Sequence, residues 1–127
     1  MRVGALKIKA QLYCGEELAM GPGKADLLEA IAREGSISGA GRAMGMSYRR
    51  SWLLVDSMNR CWTGKLVETV AGGGQGRGAS LTVLGRDVLA AYRALEAGLA
   101  EASQHGLVAA LEAVLRDQPL PPVREEG

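Results

Sequence analysis

Apolar and polar residues alternate from Val3 to Leu12, with Leu6, Ile8, Ala10 and Leu12 on one side and Lys7, Lys9 and Gln11 on the other. A period of two predicts a half-buried strand, with the lysines keeping its edge soluble. Gly15-Glu16-Glu17 brings turn chemistry before the short apolar run Leu18-Ala19-Met20, so a β-hairpin is expected. After Gly21-Pro22-Gly23 the period changes. Leu27, Leu28 and Ile31 recur at helical spacing between Lys24 and Glu34, and Gly35 is placed where a left-handed cap closes a helix.

The next stretch, SISGAGRAMGMSYRRSWLLVDSMNRCW from Ser36 to Trp62, reads as two short helices joined at Gly45-Met46-Ser47. Ser36 or Ser38 caps the first, and Ser47 caps the second. Ala40, Ala43 and Met44 give the first helix a small, close-packing surface; Gly39 and Gly41 weaken it by up to ~1 kcal/mol each relative to Ala, so packing must hold it. In the second helix Trp52, Val55, Met58 or Asn59, and Trp62 define the expected core side. Tyr48, Arg49, Ser51 and Leu53 define the expected outer face. Two arginines, Arg49 and Arg50, stand in the opening turn, where the helix dipole disfavours cations by a few tenths of a kcal/mol. Their position points to contact with an anion rather than to helix stability.

Leu66 to Val70 and Ala79 to Thr82 read as strands flanking the glycine-rich Gly72 to Gly78. A phosphate loop needs a Lys-Ser/Thr pair and a following helix, and a dinucleotide fingerprint needs a βαβ setting; neither is here. The remaining reading is a hairpin wing with Gln75 and Arg77 at its tip, the backbone of which can approach a sugar-phosphate surface. Thr82 then caps a long helix on which Leu84, Val88, Ala91, Tyr92, Leu95, Leu99 and Ala102 recur three or four residues apart. So long an apolar stripe exceeds the need of a small core, and pairing with a second copy is expected. His105-Gly106 breaks the helix, Leu107 to Leu115 forms a short amphipathic one, and the tail from 118 to 127 is Pro-rich, charged and expected to be disordered. The organisation expected is therefore a 1–82 winged helix-turn-helix, an 83–117 dimerisation region and a tail.

Composition and charge narrow this further. The core must be built without Phe, since the 127 residues contain none and only 4% are aromatic. Arg42 to Arg77 holds six basic residues against two acidic ones, a local +4, which leaves −3 for the rest of a chain with a net charge of +1. Such asymmetry suits an anion-binding face. Cys14 and Cys61 belong to no metal-ligand spacing and are expected as reduced thiols in a cytoplasm. No stretch approaches the ~18 apolar residues of a membrane span. One His, an isolated Asp56 and no nucleophile–base pairing argue against an enzyme.

The order of elements, with GSIS at Gly35 to Ser38, M-S-Y-x-x-x-W from Met46 to Trp52, and LT followed by Gly85 after the glycine-rich hairpin, resembles the N-terminal domain of the ModE family of molybdate-responsive regulators. More distantly it resembles the DNA-binding domain of LysR-type regulators. The resemblance implies a mainly α fold with small β elements: a prokaryotic winged helix-turn-helix with an N-terminal β-hairpin and a long C-terminal dimerisation helix. It also implies a homodimer on a two-fold symmetric DNA site near genes of molybdenum or tungsten metabolism. Residues placed on DNA by the motif are Arg42, Ser47, Tyr48, Arg49, Arg50, Gln75 and Arg77. The small β-barrels that hold molybdate or tungstate in that family have no counterpart in this sequence, so no cofactor site is carried over. An alternative reading is an oxyanion-binding or protein-interaction module that pairs with a longer regulator bearing such domains.

Overall fold

The alternating N-terminal run folds as separate pieces rather than as one strand. In the computed structural model, which describes residues 1–70, 78–104 and 106–123, β1 (Arg2–Val3) turns at Gly4 into β2 (Leu6–Lys7). Gly4 has φ 59°, a left-handed conformation that breaks the extended run. The side alternation survives the break: Leu6, Ile8 and Ala10 are half-buried while Lys7, Lys9 and Gln11 face solvent. The expected hairpin follows as β3 (Leu12–Cys14) paired antiparallel with β4 (Glu17–Met20), turning at Gly15 with φ 62°.

Helix α1 (Pro22–Glu34) takes Pro22 in its first turn, where the missing N–H costs nothing, and ends at Gly35 with φ 74°. Its stripe of Leu27, Leu28 and Ile31 is fully buried. Ser36 caps α2 (Ile37–Ala43) by accepting from the Gly39 N–H at 2.9 Å. Gly45 at φ 70° makes the corner, and the Met46 N–H donates back to the Gly41 carbonyl at 2.8 Å. Ser47 caps α3 (Tyr48–Cys61) by accepting from the Arg50 N–H at 3.1 Å. Strands β5 (Val67–Val70) and β6 (Gly78–Leu81) form an antiparallel hairpin, and Thr82 caps α4 (Val83–Ser103) through the Gly85 N–H. The described residues are thus mainly α with three small two-stranded sheets, in the winged helix-turn-helix order. The short helix expected over Leu107 to Leu115 is reduced to α5 (Ala109–Glu112), which has no side-chain cap at Val108.

Three features of packing depart from the sequence expectation. The small surface of α2 that matters is Gly41, not Ala43, which is exposed: a Cβ on Gly41 would overlap the Ser51 hydroxyl. Ser51 is accordingly fully buried, although its place in the sequence puts it on the outer face. Trp52, expected in the core, is instead 46% exposed. The buried side of α3 runs through Ser51, Val55 and Met58 to the half-buried Trp62, so the expected stripe holds from Val55 onward and only its first position passes from Trp52 to Ser51. Close approach of two backbones favours the smallest side chain at the crossing, and that choice rotates the bulkier neighbour outward.

At the other end of α3, Asn59 clasps β5. Its carboxamide oxygen accepts from the Leu66 and Val67 N–H groups at 2.9 and 3.0 Å, and its NH2 donates to the Val67 carbonyl at 3.0 Å. The Leu66 carbonyl in turn accepts from the Thr82 N–H at 2.9 Å, and α4 lies so close to it that Gly85 has no room for a Cβ. Helix α4 is held to α1 by Arg93, which bridges Asp26, Glu29 and Glu96 at 2.7 to 2.8 Å. Tyr92 adds a bond from its hydroxyl to the Ala10 carbonyl at 2.8 Å.

Gly85→Ala should therefore destabilise the fold, although alanine is the better helix former by ~1 kcal/mol. The added methyl meets backbone, which cannot rotate away, so a net loss of about 1–3 kcal/mol is expected in urea unfolding. Gly41→Ala meets a rotatable hydroxyl and should cost less, with part of the loss recovered in Gly41→Ala/Ser51→Gly.

Candidate nucleic-acid interface

The outer face of α3 carries Arg49 and Leu53, flanked on the side of the β5–β6 hairpin by Tyr48 and Trp52 and on the other side by Arg50. Tyr48 is 55% exposed and Leu53 50%, so with Trp52 the helix presents three large apolar surfaces to solvent in just over one turn. A helix that needed only to stay soluble would place polar residues there. Arg42 lies on the exposed side of α2, and its guanidinium reaches back over Gly39 toward the capping Ser36.

Pairing of the arginines separates two groups. Arg60 is held by both oxygens of Glu17 at 2.9 Å and by Asp56 at 3.0 Å, and Arg93 by its three acids. Among the described residues, Arg42, Arg49 and Arg50 have no carboxylate within ion-pair distance. Of the local positive charge inferred from the sequence, Arg60 is neutralised by its partners, while these three and the exposed Lys65 have no acidic partner among the described residues. A guanidinium without an acid, close to a capped helix start and on an exposed face, is available to a phosphate or a guanine edge. Ser47 already gives its side-chain oxygen to the Arg50 N–H; its role is to start the helix that carries Tyr48 and Arg49. Gln75 and Arg77, expected at the wing tip, lie outside the described residues.

Sequence reasoning missed two contributors. Trp52 was hidden by its hydrophobicity, which reads as core. Asn59, which sets where the hairpin stands relative to α3, carries no sequence signal beyond a polar residue on the inner side of an amphipathic helix.

The Glu17–Arg60 clamp ties the β3–β4 hairpin to the C-terminal half of α3. The Arg60 guanidinium hydrogen-bonded to Glu17 holds that carboxyl below its ordinary pKa of 4.5. Burial lowers Lys24 below its ordinary range as well; its ammonium bonds the Leu18 carbonyl and Ser57. Among the described residues no cluster of three or more His, Cys, Asp or Glu is placed to hold a metal, and Cys14 and Cys61 are free thiols.

The expected dimer stripe on α4 divides. Tyr92 is 3% exposed and bonded within its own chain, which removes it from the outer face. Leu84 and Val88 are half-buried against the core. Ala91, Leu95 and Ala102 remain exposed and Leu99 half-buried. Ala91 and Leu95 border an apolar groove of about 280 Å³ that Leu12, Met20, Trp62, Val88 and Tyr92 also line.

Known proteins with similar sequences are named for molybdenum. The chain is 51% identical over 70 residues to the molybdenum transport protein ModE of Azotobacter vinelandii, covering 55% of this chain and 26% of that one. It is 45% identical over 82 residues to the molybdenum-pterin-binding protein MopB of Rhodobacter capsulatus, covering 65% and 30%. This chain is a homologue of the ModE and Mop proteins. To the DNA-binding transcriptional dual regulator ModE of Escherichia coli K12 it is 36% identical over 86 residues, 68% of this chain and 33% of the regulator. The match spans about a quarter to a third of the length of these curated relatives, and no family model matches the chain. No described helix is long and apolar enough to cross a membrane.

The Glu17–Arg60 clamp makes a pH prediction. A carboxyl whose folded pKa is depressed contributes stability above its unfolded value and loses it as pH falls through the folded value. The stability difference between the wild type and Glu17→Gln should be constant near neutrality and shrink below pH 4.5, read as thermal midpoints across an acid series.

Proposed function

We propose that this chain is a sequence-specific DNA-binding regulator of the ModE kind, acting as a dimer on a two-fold symmetric site at genes of molybdenum or tungsten metabolism. The observation that carries the reading is the exposed face of α3, where Arg49 stands without an acidic partner on a helix capped by Ser47 and anchored by the Gly41–Ser51 crossing. The first turns of the second helix of such a motif enter the major groove, and arginine there reads guanine or clamps phosphate. Arg42, Arg50 and, on the sequence pattern alone, Gln75 and Arg77 are assigned to the DNA backbone. The homology to a named DNA-binding regulator supports the same partner.

Dimerisation is assigned to the outer part of α4, through Ala91, Leu95, Leu99 and Ala102, with the adjoining groove taking side chains of the second copy. Two recognition helices related by a two-fold axis then address half-sites about one helical turn, ~34 Å, or a multiple apart. A second reading, a module that binds molybdate or tungstate or pairs with a longer regulator, draws on the Mop relatives, which are named as molybdenum-pterin-binding.

Fluorescence anisotropy against the gene's own upstream DNA and a scrambled duplex tests both. The regulator reading expects preference for the native sequence by ~10³ or more and steep weakening with salt. Arg49→Ala should cost about 1–3 kcal/mol on the native site if the contact is to a base, and equally on both duplexes if it is to phosphate. Wild-type affinity in Arg49→Ala would remove that residue from the interface. Equal weak binding to both duplexes, together with heat on titration of molybdate or tungstate, would favour the second reading.

A further inference from the structure

Between α3 and the end of the β5–β6 strands farthest from Val67 and Leu81 lies a cleft of about 270 Å³ lined by Ile37, Ser38, Tyr48, Trp52, Thr69 and Gly78. Four side-chain donors surround it: the hydroxyls of Ser38, Tyr48 and Thr69 and the indole N–H of Trp52. None of them makes a hydrogen bond among the described residues. The donors of Trp62 and Tyr92, by contrast, are bonded to the Ala19 and Ala10 carbonyls. Among the described residues no carboxylate lines the cleft. Arg42 stands one helical turn from Ser38 on the same side of α2, and Arg49 borders the adjoining depression with Tyr48, Trp52 and Leu53. An exposed indole, three unpartnered hydroxyls and flanking guanidinium groups around one cleft match a ligand that is apolar on one side and anionic on the other. A deoxyribose with its phosphate has that character.

We infer that this cleft holds one sugar-phosphate unit of the DNA strand passing between α3 and the hairpin. The indole of Trp52 packs on the sugar, and the hydroxyls of Ser38 and Tyr48 donate to the phosphate. The inference rests on the DNA-binding reading and adds to it a positioning contact that carries no base information. With Arg49 turned to the groove, such a contact fixes how deeply and at what angle α3 enters. The exposure of Trp52 then has a cause: the small crossing at Ser51 turns the indole out of the core and onto the strand.

The chain has two tryptophans, so Trp62→Phe leaves Trp52 as the sole indole reporter. On saturation with duplex DNA its emission should change and its quenching by acrylamide should fall at least ~3-fold, since the sugar shields it. In the otherwise unaltered protein, Trp52→Ala should weaken native and scrambled duplexes by the same factor, about 10-fold, with an unchanged salt slope. Trp52→Phe, which keeps a ring, should lose much less. Duplex bound with Trp52 as open to acrylamide as in the free protein would overturn the assignment, as would a Trp52→Ala loss confined to one sequence. A wild type with no affinity for any duplex would instead bring down the DNA-binding reading itself. The Trp52→Ala comparison does not depend on how well Trp62→Phe folds.

Discussion

The backbone of Leu66 joins the β5–β6 hairpin and α4 to the far end of α3. Its N–H is taken by Asn59 near the end of α3, its carbonyl by the Thr82 N–H at the start of α4, and its side chain is fully buried. Gly85 completes the junction by leaving no side chain between α4 and that carbonyl. An unpaired buried backbone group costs about 1–3 kcal/mol, so these partners are mutually required. Through this one peptide the hairpin, the long helix and the far end of α3 are set relative to one another.

The near end of α3 is set by a second close approach, between Gly41 and Ser51. Together the two junctions fix both the direction of the helix and its rotation about its own axis. Rotation matters most for function, because it decides which side chains leave the core. With Ser51 inward, Tyr48, Arg49, Trp52 and Leu53 face out as a mixed aromatic, aliphatic and cationic surface. The acids of the same region, Asp56 and Glu17, are drawn onto Arg60 and leave the outer arginines uncompensated. Fold energetics and ligand chemistry therefore meet in the same residues.

Much of this was legible in the sequence because it depends on local rules. Ser36, Ser47 and Thr82 cap helices as their positions predict, Gly35 closes α1 and Gly45 turns the corner. Arg49 and Tyr48 could be placed on an outer face from their distance to Ser47 alone. In α3 the core positions Val55, Met58 and Trp62 were legible, but the first turn was not. Hydrophobicity assigned Trp52 to the core, whereas the decisive quantity is the distance between two backbones, which no single residue encodes. Tyr92 on α4 shows the same limit in reverse: its spacing fits an outward stripe, but the N-terminal segment folds over it and accepts its hydroxyl at Ala10. The single strand expected from Val3 to Leu12 failed for a local reason, the turn at Gly4.

The central claim is that the outer face of α3 and its flanking cleft, not the α4 groove, meet the nucleic acid. Amide and indole NMR spectra of the labelled 127-residue chain, recorded while duplex DNA is added, test it most directly. The largest shifts are expected over 36–42, 47–53, 69–70 and 78–79, with the Trp52 indole N–H among them and that of Trp62 little moved. Shifts concentrated on Ala91, Leu95 and the groove beside them, with α3 unmoved, would contradict it.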